Sequence, residues 1–513
     1  MEKRKKTGAG FPFFVFIFAV YPSLAYLASN YREVHASSVL RLVVFSILVV
    51  GILLALCFLL LRKSSKAVLA SSVLTLVFFS LGHVIDLVEN TTLYKEAGKP
   101  ALLVNGFLFL SSLLIIVVAI RQIGRISGDP AQLFRVMNVT AIVLLASSCA
   151  LLLGKYIQEN ESPARQAPPA IIAPPNSPDV YYIVLDAYAR QDAMSSLGYD
   201  NSSFISELEE IGFYVASCSR SNYPQTVVSM ASALNMGYLW DVIPHDGPDD
   251  RNAEPVYGSL SDSEVRRQFE SRGYQTVAFE TGGAWLDWRD ASRFMQPAPE
   301  PFLSPHLSSF EYLFLETTAL RPILTQPYFL KNKYIYNYNR INFVLGELPK
   351  LALESGPKFV YVHMLIPHRP NIFLPDGSLN PDTNYYIKGV GEGATTEYDI
   401  QGYINNTRFI DSRLPGVIRE VIRNSRIPPI VIIQSDHGYQ KQDIRFYNLN
   451  TYYFPDGDYS RLYPSITPVN SFRVVFNQFF GAEYPALKDQ SINVDIDRPY
   501  GKKPARFNPD LCP

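Results

Sequence analysis

The sequence predicts an α/β protein on a membrane anchor: an N-terminal five-helix transmembrane bundle, then an α/β domain with a mostly parallel sheet. Three observations carry this. Five apolar stretches follow one another in the first 155 residues. A proline-rich polar segment separates them from the remainder. Beyond residue 178, short apolar strands alternate with amphipathic helices.

The apolar stretches are about 11–29, 39–61, 68–88, 101–120 and 136–154. Each approaches the ~20 residues a helix needs to cross a bilayer. The first is too long and wrongly flanked for a cleaved signal peptide. Hydrophobic residues make up 48% of the chain and charged residues only 18%, and five such runs in succession do not suit a soluble core. The basic segments are MEKRKK, RKSSK, and Arg121, Arg125 and Arg135. Retained on the cytoplasmic side, they place everything after Lys155 outside the cell membrane, because the number of spans is odd. The domains expected are therefore a transmembrane domain over 1–155, a linker over 156–178, an extracytoplasmic catalytic domain over 179–484 and a tail over 485–513. With a net charge of −1, the chain has no general attraction for nucleic acid. Nothing in the sequence sets an oligomeric state.

IQENESPARQAPPAIIAPPNSP (156–177) has the composition of a semi-extended spacer. DVYYIVLDAY then reads as a buried strand, and SSFISELEEIGFYVAS as a helix and an extended segment. The plan of helix, glycine break and strand follows three times: in SEVRRQFESRGYQTVAFE, in INFVLGELPKLALESGPKFVYVHML and in RLPGVIREVIRNSRIPPIVIIQSDHG. Such alternation argues for parallel strands covered by helices. Ligands in such sheets collect at the carboxyl ends of the strands.

Three strands end in groups able to do chemistry. Asp186 closes YYIVLD, His363 and His368 close VYVHMLIPH, and Asp436 and His437 close IVIIQSDH. The chain has only seven histidines, so three at strand ends favour a metal site, although each residue alone has an ordinary structural explanation. Asp and His donors suit one divalent ion, Mn or Zn, with Mg also compatible. In SNYPQTVVSMASAL, Thr226 stands where a helix begins, and free backbone N–H groups there favour an anion. A plain N-cap role for this threonine is the competing reading. His83 and Asp86, about one turn apart in LGHVIDLVEN, are ionisable groups near the end of a span. Cys57 and Cys149 fall in spans. Cys218 and Cys512 fall in the exported part, where a disulfide is permitted but not required.

The order of an Asp after the first strand, a Thr opening a helix, H-x4-H and then SDHG resembles the alkaline phosphatase superfamily. With the preceding spans it is similar to lipoteichoic acid synthases, phosphoethanolamine transferases and the wider sulfatase-like hydrolases and transferases. The resemblance implies a membrane-anchored phosphotransferase that moves a phospho-headgroup from a membrane lipid donor to a cell-envelope acceptor. It implies metal ligation by Asp186, Thr226, Asp436 and His437, with Thr226 also the nucleophile that becomes phosphothreonine. His363 and His368 would hold the phosphate or protonate the leaving group. Trp285, Trp288 and Arg289 of GGAWLDWRD would contact the headgroup. No histidine follows His437, which points to one ion rather than two. The segment SCSRSNYPQT lacks the C/S-x-P-x-R context of formylglycine sulfatases. A hydrolase of phosphate or sulfate esters, and a silent binding protein on the same fold, are the alternatives.

Overall fold

The computed structural model describes residues 12–29, 36–62, 64–89, 91, 101–125, 130–161, 174, 176–298, 301–304, 306–324, 326–387, 397–441, 444–495, 497–503, 505–508 and 511–512. The chain divides into two compact units. One holds residues 1–166 together with 298–336, the other residues 167–297 and 337–513. The segment 298–336, expected within the catalytic domain, thus folds with the apolar helices.

The first unit contains five apolar helices, α1 (Phe14–Ser29), α2 (Ala36–Leu61), α3 (Ser64–Glu89), α4 (Ala101–Arg125) and α5 (Ala131–Glu161). Four of them, α2 to α5, are long and apolar enough to cross a membrane. The fifth is shorter than expected: α1 has 16 residues and carries Pro22, which makes it about 24 Å long against a hydrocarbon core of about 30 Å. Its N-terminal amide would be orphaned in an apolar setting. Asn138 on α5 solves this, its Oδ1 accepting from Phe14 N at 3.0 Å.

The second unit is built on a seven-stranded sheet. Its strands are β1 (Val180–Leu185), β2 (Tyr214–Val215), β3 (Gln275–Phe279), β4 (Arg293–Met295), β5 (Lys358–Met364), β6 (Ile430–Gln434) and β7 (Asn450–Tyr453). Their order is β2-β7-β6-β1-β5-β3-β4. β1 pairs parallel with both β5 and β6, in registers that place Leu185 beside Met364 and Val184 beside Gln434. β7 runs antiparallel to β6 and to β2. All residues of β1, β5 and β6 are buried, which is why they read as mostly apolar runs. The carboxyl ends of the three central strands therefore lie side by side. Helix α6 (Thr226–Leu234) packs into the core beside them, with every residue after Thr226 buried. The tail forms the hairpin β8 (Asn493–Asp495) and β9 (Arg498–Lys503), and Cys512 is disulfide-bonded to Cys218.

Candidate metal and phosphoryl-transfer site

Each of the three central strands delivers one part of a cluster. Asp186 is the residue after β1, and its amide donates to Met364 O at 3.0 Å, so the β1–β5 ladder continues to the functional side chain. The next residue, Ala187, has φ 61°, a left-handed conformation that costs a non-glycine residue about 1–2 kcal/mol. That turn aims Ala187 N at Asp436 Oδ1, at 3.0 Å. Asp436 Oδ1 also accepts from His437 N at 2.9 Å. Its other oxygen, Oδ2, has no hydrogen-bond partner among the described residues, and the same holds for Asp186 Oδ1.

Gly438 is required by a close approach. A Cβ there would fall 2.6 Å from Ile444 O and as near to Tyr447 O. Folding the 438–447 loop this tightly over the strand end lets Gly438 O receive the Nδ1–H of His437, at 2.7 Å. Nδ1 is the donor in this bond, which turns Nε2 toward the carboxylates. His437 Nε2 is then 3.5 Å from Asp436 Oδ2, 4.0 Å from Asp186 Oδ1 and 3.5 Å from Thr226 Oγ1. The ligand atoms of Asp186, Asp436 and His437 all lie within 4.8 Å of one another.

Two buried carboxylate oxygens without hydrogen-bond partners beside one imidazole nitrogen are unstable alone, since burial penalises uncompensated anions. A divalent cation among them removes the penalty, and the donor set suits Zn or Mn. Burial also raises the Asp186 pKa, but the His368, His363 and His437 imidazoles outweigh it and hold the carboxyl below the usual range.

Thr226 is the first residue of α6, and Gln225 occupies the N-cap. The plain N-cap reading of Thr226 therefore fails, and its hydroxyl is not used in capping. The first intrahelical bond is Ser229 N to Gln225 O at 2.9 Å, so the amides of residues 226–228 carry no intrahelical bond and form an anion-favouring edge. Ser229 Oγ donates to Asp436 O at 2.6 Å and ties the helix to the strand end.

His363 and His368 part company. His363 is buried, and its Nε2 meets Asp186 Oδ2 at 3.3 Å. The structure thus places it against the Asp186 carboxylate and away from the surface. His368 borders a shallow cleft shared with Ala187, Arg369, Asn371, Asp399, Tyr403, Tyr439 and Gln440. Its Nδ1 donates to Arg369 O at 2.7 Å, and Gln440 Nε2 donates to its Nε2 at 2.6 Å.

The GGAWLDWRD residues correct a second expectation. Trp288 is fully buried, stacks on Tyr361 at 4.2 Å and donates from Nε1 to Leu260 O at 2.9 Å. It is a core residue with no face for a headgroup. Trp285 is partly exposed, edge-on to Tyr257, and Arg289 pairs with Asp287 at 3.4 Å.

Sequence reasoning missed Arg445. Its carbonyl accepts from Gly438 N at 2.7 Å, and its Nε donates to Pro224 O, two residues before Thr226. It thereby joins the Thr226 loop to the Asp436–His437 loop. Burial lowers the guanidinium pKa, while Asp436 and Asp186 draw it back up. A polar loop with no periodicity gave no signal for it.

No curated protein sequence matches the chain. Among solved structures, the chain is similar to the integral membrane lipooligosaccharide phosphoethanolamine transferase A of Neisseria meningitidis. The identity there is 12% and the TM-score 0.40, over 91% of this chain and 95% of that one. It is also similar to the zinc complex of the C-terminal periplasmic domain of EptC from Escherichia coli, with 11% identity and a TM-score of 0.37 over 60% and 86%. The phosphonate monoester hydrolase of Agrobacterium radiobacter shows 15% identity and a TM-score of 0.35 over 59% and 74%. The sulfatase family matches residues 178–475, more than half of the sequence, from just before β1 into the helix Pro468–Phe479. The chain belongs to the sulfatase family, and with it to the alkaline phosphatase superfamily of enzymes.

Proposed function

We propose that the protein is a membrane-anchored phosphotransferase that moves a phospho-headgroup from a lipid donor, through phosphothreonine at residue 226, to an acceptor in the cell envelope. The observation that carries this reading is the meeting of the Thr226 hydroxyl with His437 Nε2 at 3.5 Å, beside two unpartnered carboxylate oxygens. Asp186, Asp436, His437 and Thr226 would hold one divalent ion, Zn or Mn. When bound, such an ion lowers the pKa of the hydroxyl and neutralises phosphoryl oxygens. The chain's own residues supply the rest. Thr226 Oγ1 forms a bond to phosphorus as the bond from phosphorus to the lipid alcohol oxygen breaks, the hydroxyl proton is lost, and the departing oxygen gains one. The N-terminal amides of α6 receive charge that develops on the phosphoryl oxygens. His363 keeps Asp186 in position. His368, at the edge of the cleft, exchanges a proton with the leaving or entering alcohol through Nε2, once Gln440 Nε2 gives that nitrogen up.

The apolar helices favour a lipid donor, since they tether the α/β domain to a membrane. The positive-inside pattern favours an extracytoplasmic site. The second reading, hydrolysis of phosphate or sulfate esters, uses the same residues with water as acceptor. Formylglycine chemistry is disfavoured because residue 226 is threonine.

The test is to trap the intermediate. Full-length protein with Zn or Mn and a mixture of phospholipids is quenched and digested, and the peptide spanning 219–240 is examined by mass spectrometry. A phosphoryl group carrying the headgroup on Thr226, absent from Thr226→Ala, is expected. Full turnover by folded Thr226→Ala would overturn the reading. Steady release of free headgroup without an added acceptor would select hydrolysis.

A further inference from the structure

Residues 306–324 leave an α/β sequence context to fold with the apolar helices, and their contacts place them at a definite depth. Helix α7 (Ser309–Glu316) is closed at its start by a capping box between Ser308 and Glu311. Tyr312, Phe314 and Leu324 are buried in one cluster with Phe14, Leu42 and Phe79 of the bundle. Phe310 and Phe314 pack on Tyr26 of α1 at 5.1 and 6.0 Å. Arg41 on α2 forms an ion pair with Glu311 at 3.0 Å and donates to His306 O at 3.0 Å. Arg321 pairs with Glu89 at 2.7 Å and Asp86 at 3.4 Å on α3.

The depth follows from α3. The backbone of Glu316 and Thr317 lies so close to Gly82 that a Cβ there would collide with it. Ala319 N donates to Phe78 O at 2.7 Å. Asp86 and Glu89 mark the polar end of this span. Gly82 and Phe78 are four and eight residues below Asp86, about 6 and 12 Å along a helix. Half the hydrocarbon core is about 15 Å. This is also the end of the bundle from which the chain continues into the α/β domain, because Lys155 near the end of α5 donates to Ala28 O near the end of α1.

We propose that residues 306–324 are a re-entrant element seated among the lipid acyl chains of that leaflet. Its inner face is packed on α1, α2 and α3. Its outer face carries Leu313 and Ile323, which are 42% and 50% exposed. The occupant of that face is lipid, because α2, on which the element packs, presents exposed apolar side chains of the same kind, Leu48 and Ile52 each being 59% exposed. The backbone at this depth is tolerable because it is helical or bonded to α3, and Arg321 extends to the acidic end of α3 as a snorkelling cation does. An α/β enzyme thus sends a loop of its own chain into the leaflet, a feature independent of the chemistry proposed above.

The test uses full-length protein in phosphatidylcholine vesicles, in a Cys57→Ala, Cys149→Ala background with the Cys218–Cys512 bond kept oxidised. A nitrobenzoxadiazole dye is placed on Leu313→Cys or Ile323→Cys. Leu151→Cys on α5 is the lipid-facing control, and Leu353→Cys in the α/β unit is the aqueous control; the native residues are 61% and 69% exposed. In vesicles whose acyl chains are brominated, emission from positions 313 and 323 is expected to fall as far as at 151, and to stay unchanged at 353. Quenching at 151 but not at 313 or 323 overturns the proposal alone. Absence of quenching at 151 as well overturns the membrane assignment with it. Gly82→Leu, which blocks the close approach, should abolish quenching at 313 while leaving the bundle helical. Quenching that survives Gly82→Leu overturns the seating on α3.

Discussion

His363 Nε2 lies 3.3 Å from Asp186 Oδ2, and this bond leaves Asp186 Oδ1 alone to face His437 Nε2 at 4.0 Å. One oxygen of the carboxylate is engaged by the imidazole, and the other has no hydrogen-bond partner among the described residues. A partner behind a metal-binding carboxylate typically contributes 10–100-fold to affinity, on the order of magnitude. His363→Ala should therefore weaken Zn or Mn binding by about that factor and leave the unfolding temperature nearly intact when metal is saturating. Competitive titration with a chelator measures it. Unchanged affinity would mean that His363 only fills space.

Arg445 joins the two loops that carry the candidate nucleophile and the candidate ligands. Its positive charge faces Asp436 and Asp186, where a phosphoryl group would add further negative charge. Arg445→Met should lower kcat/KM by roughly 30-fold, about the 2 kcal/mol of a charge-assisted hydrogen bond. Arg445→Lys should recover part of the loss. Bound metal, read by atomic emission, should be unchanged in both variants. Loss of metal instead would assign Arg445 to loop architecture.

Trp288 and Trp285 separate packing from recognition. Trp288 fills the core against Tyr361 and Phe359, so Trp288→Ala should cost about 3–5 kcal/mol of stability. Trp285 is edge-on to Tyr257 and partly exposed, so Trp285→Ala should cost far less. Chemical denaturation of the two variants checks the contrast. Equal losses would contradict the burial difference.

The Cys218–Cys512 bond fastens the tail to the loops that frame the site. Cys512 O accepts from Arg220 Nη2 at 3.2 Å, Tyr447 OH donates to Asn508 O at 3.0 Å, and Arg220 lies over the Phe507 ring. Phe446, the neighbour of Arg445, packs on Phe507 as well. Replacing both cysteines by serine should cost about 2–5 kcal/mol and expose the tail to protease. A tail that stays protected in the double variant would show that the aromatic contacts suffice.

How much of this was legible depended on how locally each feature is encoded. β1, β5 and β6 are buried along their whole length, so their residues form mostly apolar runs, and Asp186, His363 and Asp436 could be placed at or beside their ends. Thr226 was legible because proline and a small-residue helix frame it. β2, β4 and β7 have two to four residues, and Asn450 and Thr451 in β7 do not look apolar, so tertiary pairing alone reveals them. Trp288 and Arg289 are neighbours in a short loop, and only the fold decides which one turns inward. The helix around Tyr312 reads as a soluble core helix, because eight residues cannot announce a membrane. Gly82, the glycine that receives it, lies over two hundred positions away, a distance at which sequence pattern carries nothing.

Asp411 provides a pH test of the platform under the site. The carboxyl is buried and accepts from Tyr188 OH at 2.7 Å and Tyr199 OH at 2.9 Å. Tyr188 follows Asp186 in the same turn, and its own hydroxyl receives Asn201 Nδ2 at 3.0 Å. Burial pushes Asp411 up to about 7, the two phenols only partly opposing it. In the unfolded chain the group returns to the ordinary carboxylate value near 4. Between about pH 4 and 7 the folded state therefore binds the extra proton, and stability falls as pH rises through that window. The full penalty, at most about 4 kcal/mol, is in place above pH 7. Asp411→Asn keeps an acceptor for one phenol and removes the titration. The variant should gain stability over the parent at pH 8 and lose most of the difference by about pH 4, measured by denaturant unfolding at both values. A difference that does not change with pH would show that Asp411 is ionised throughout, held by its two tyrosines as a permanent anion.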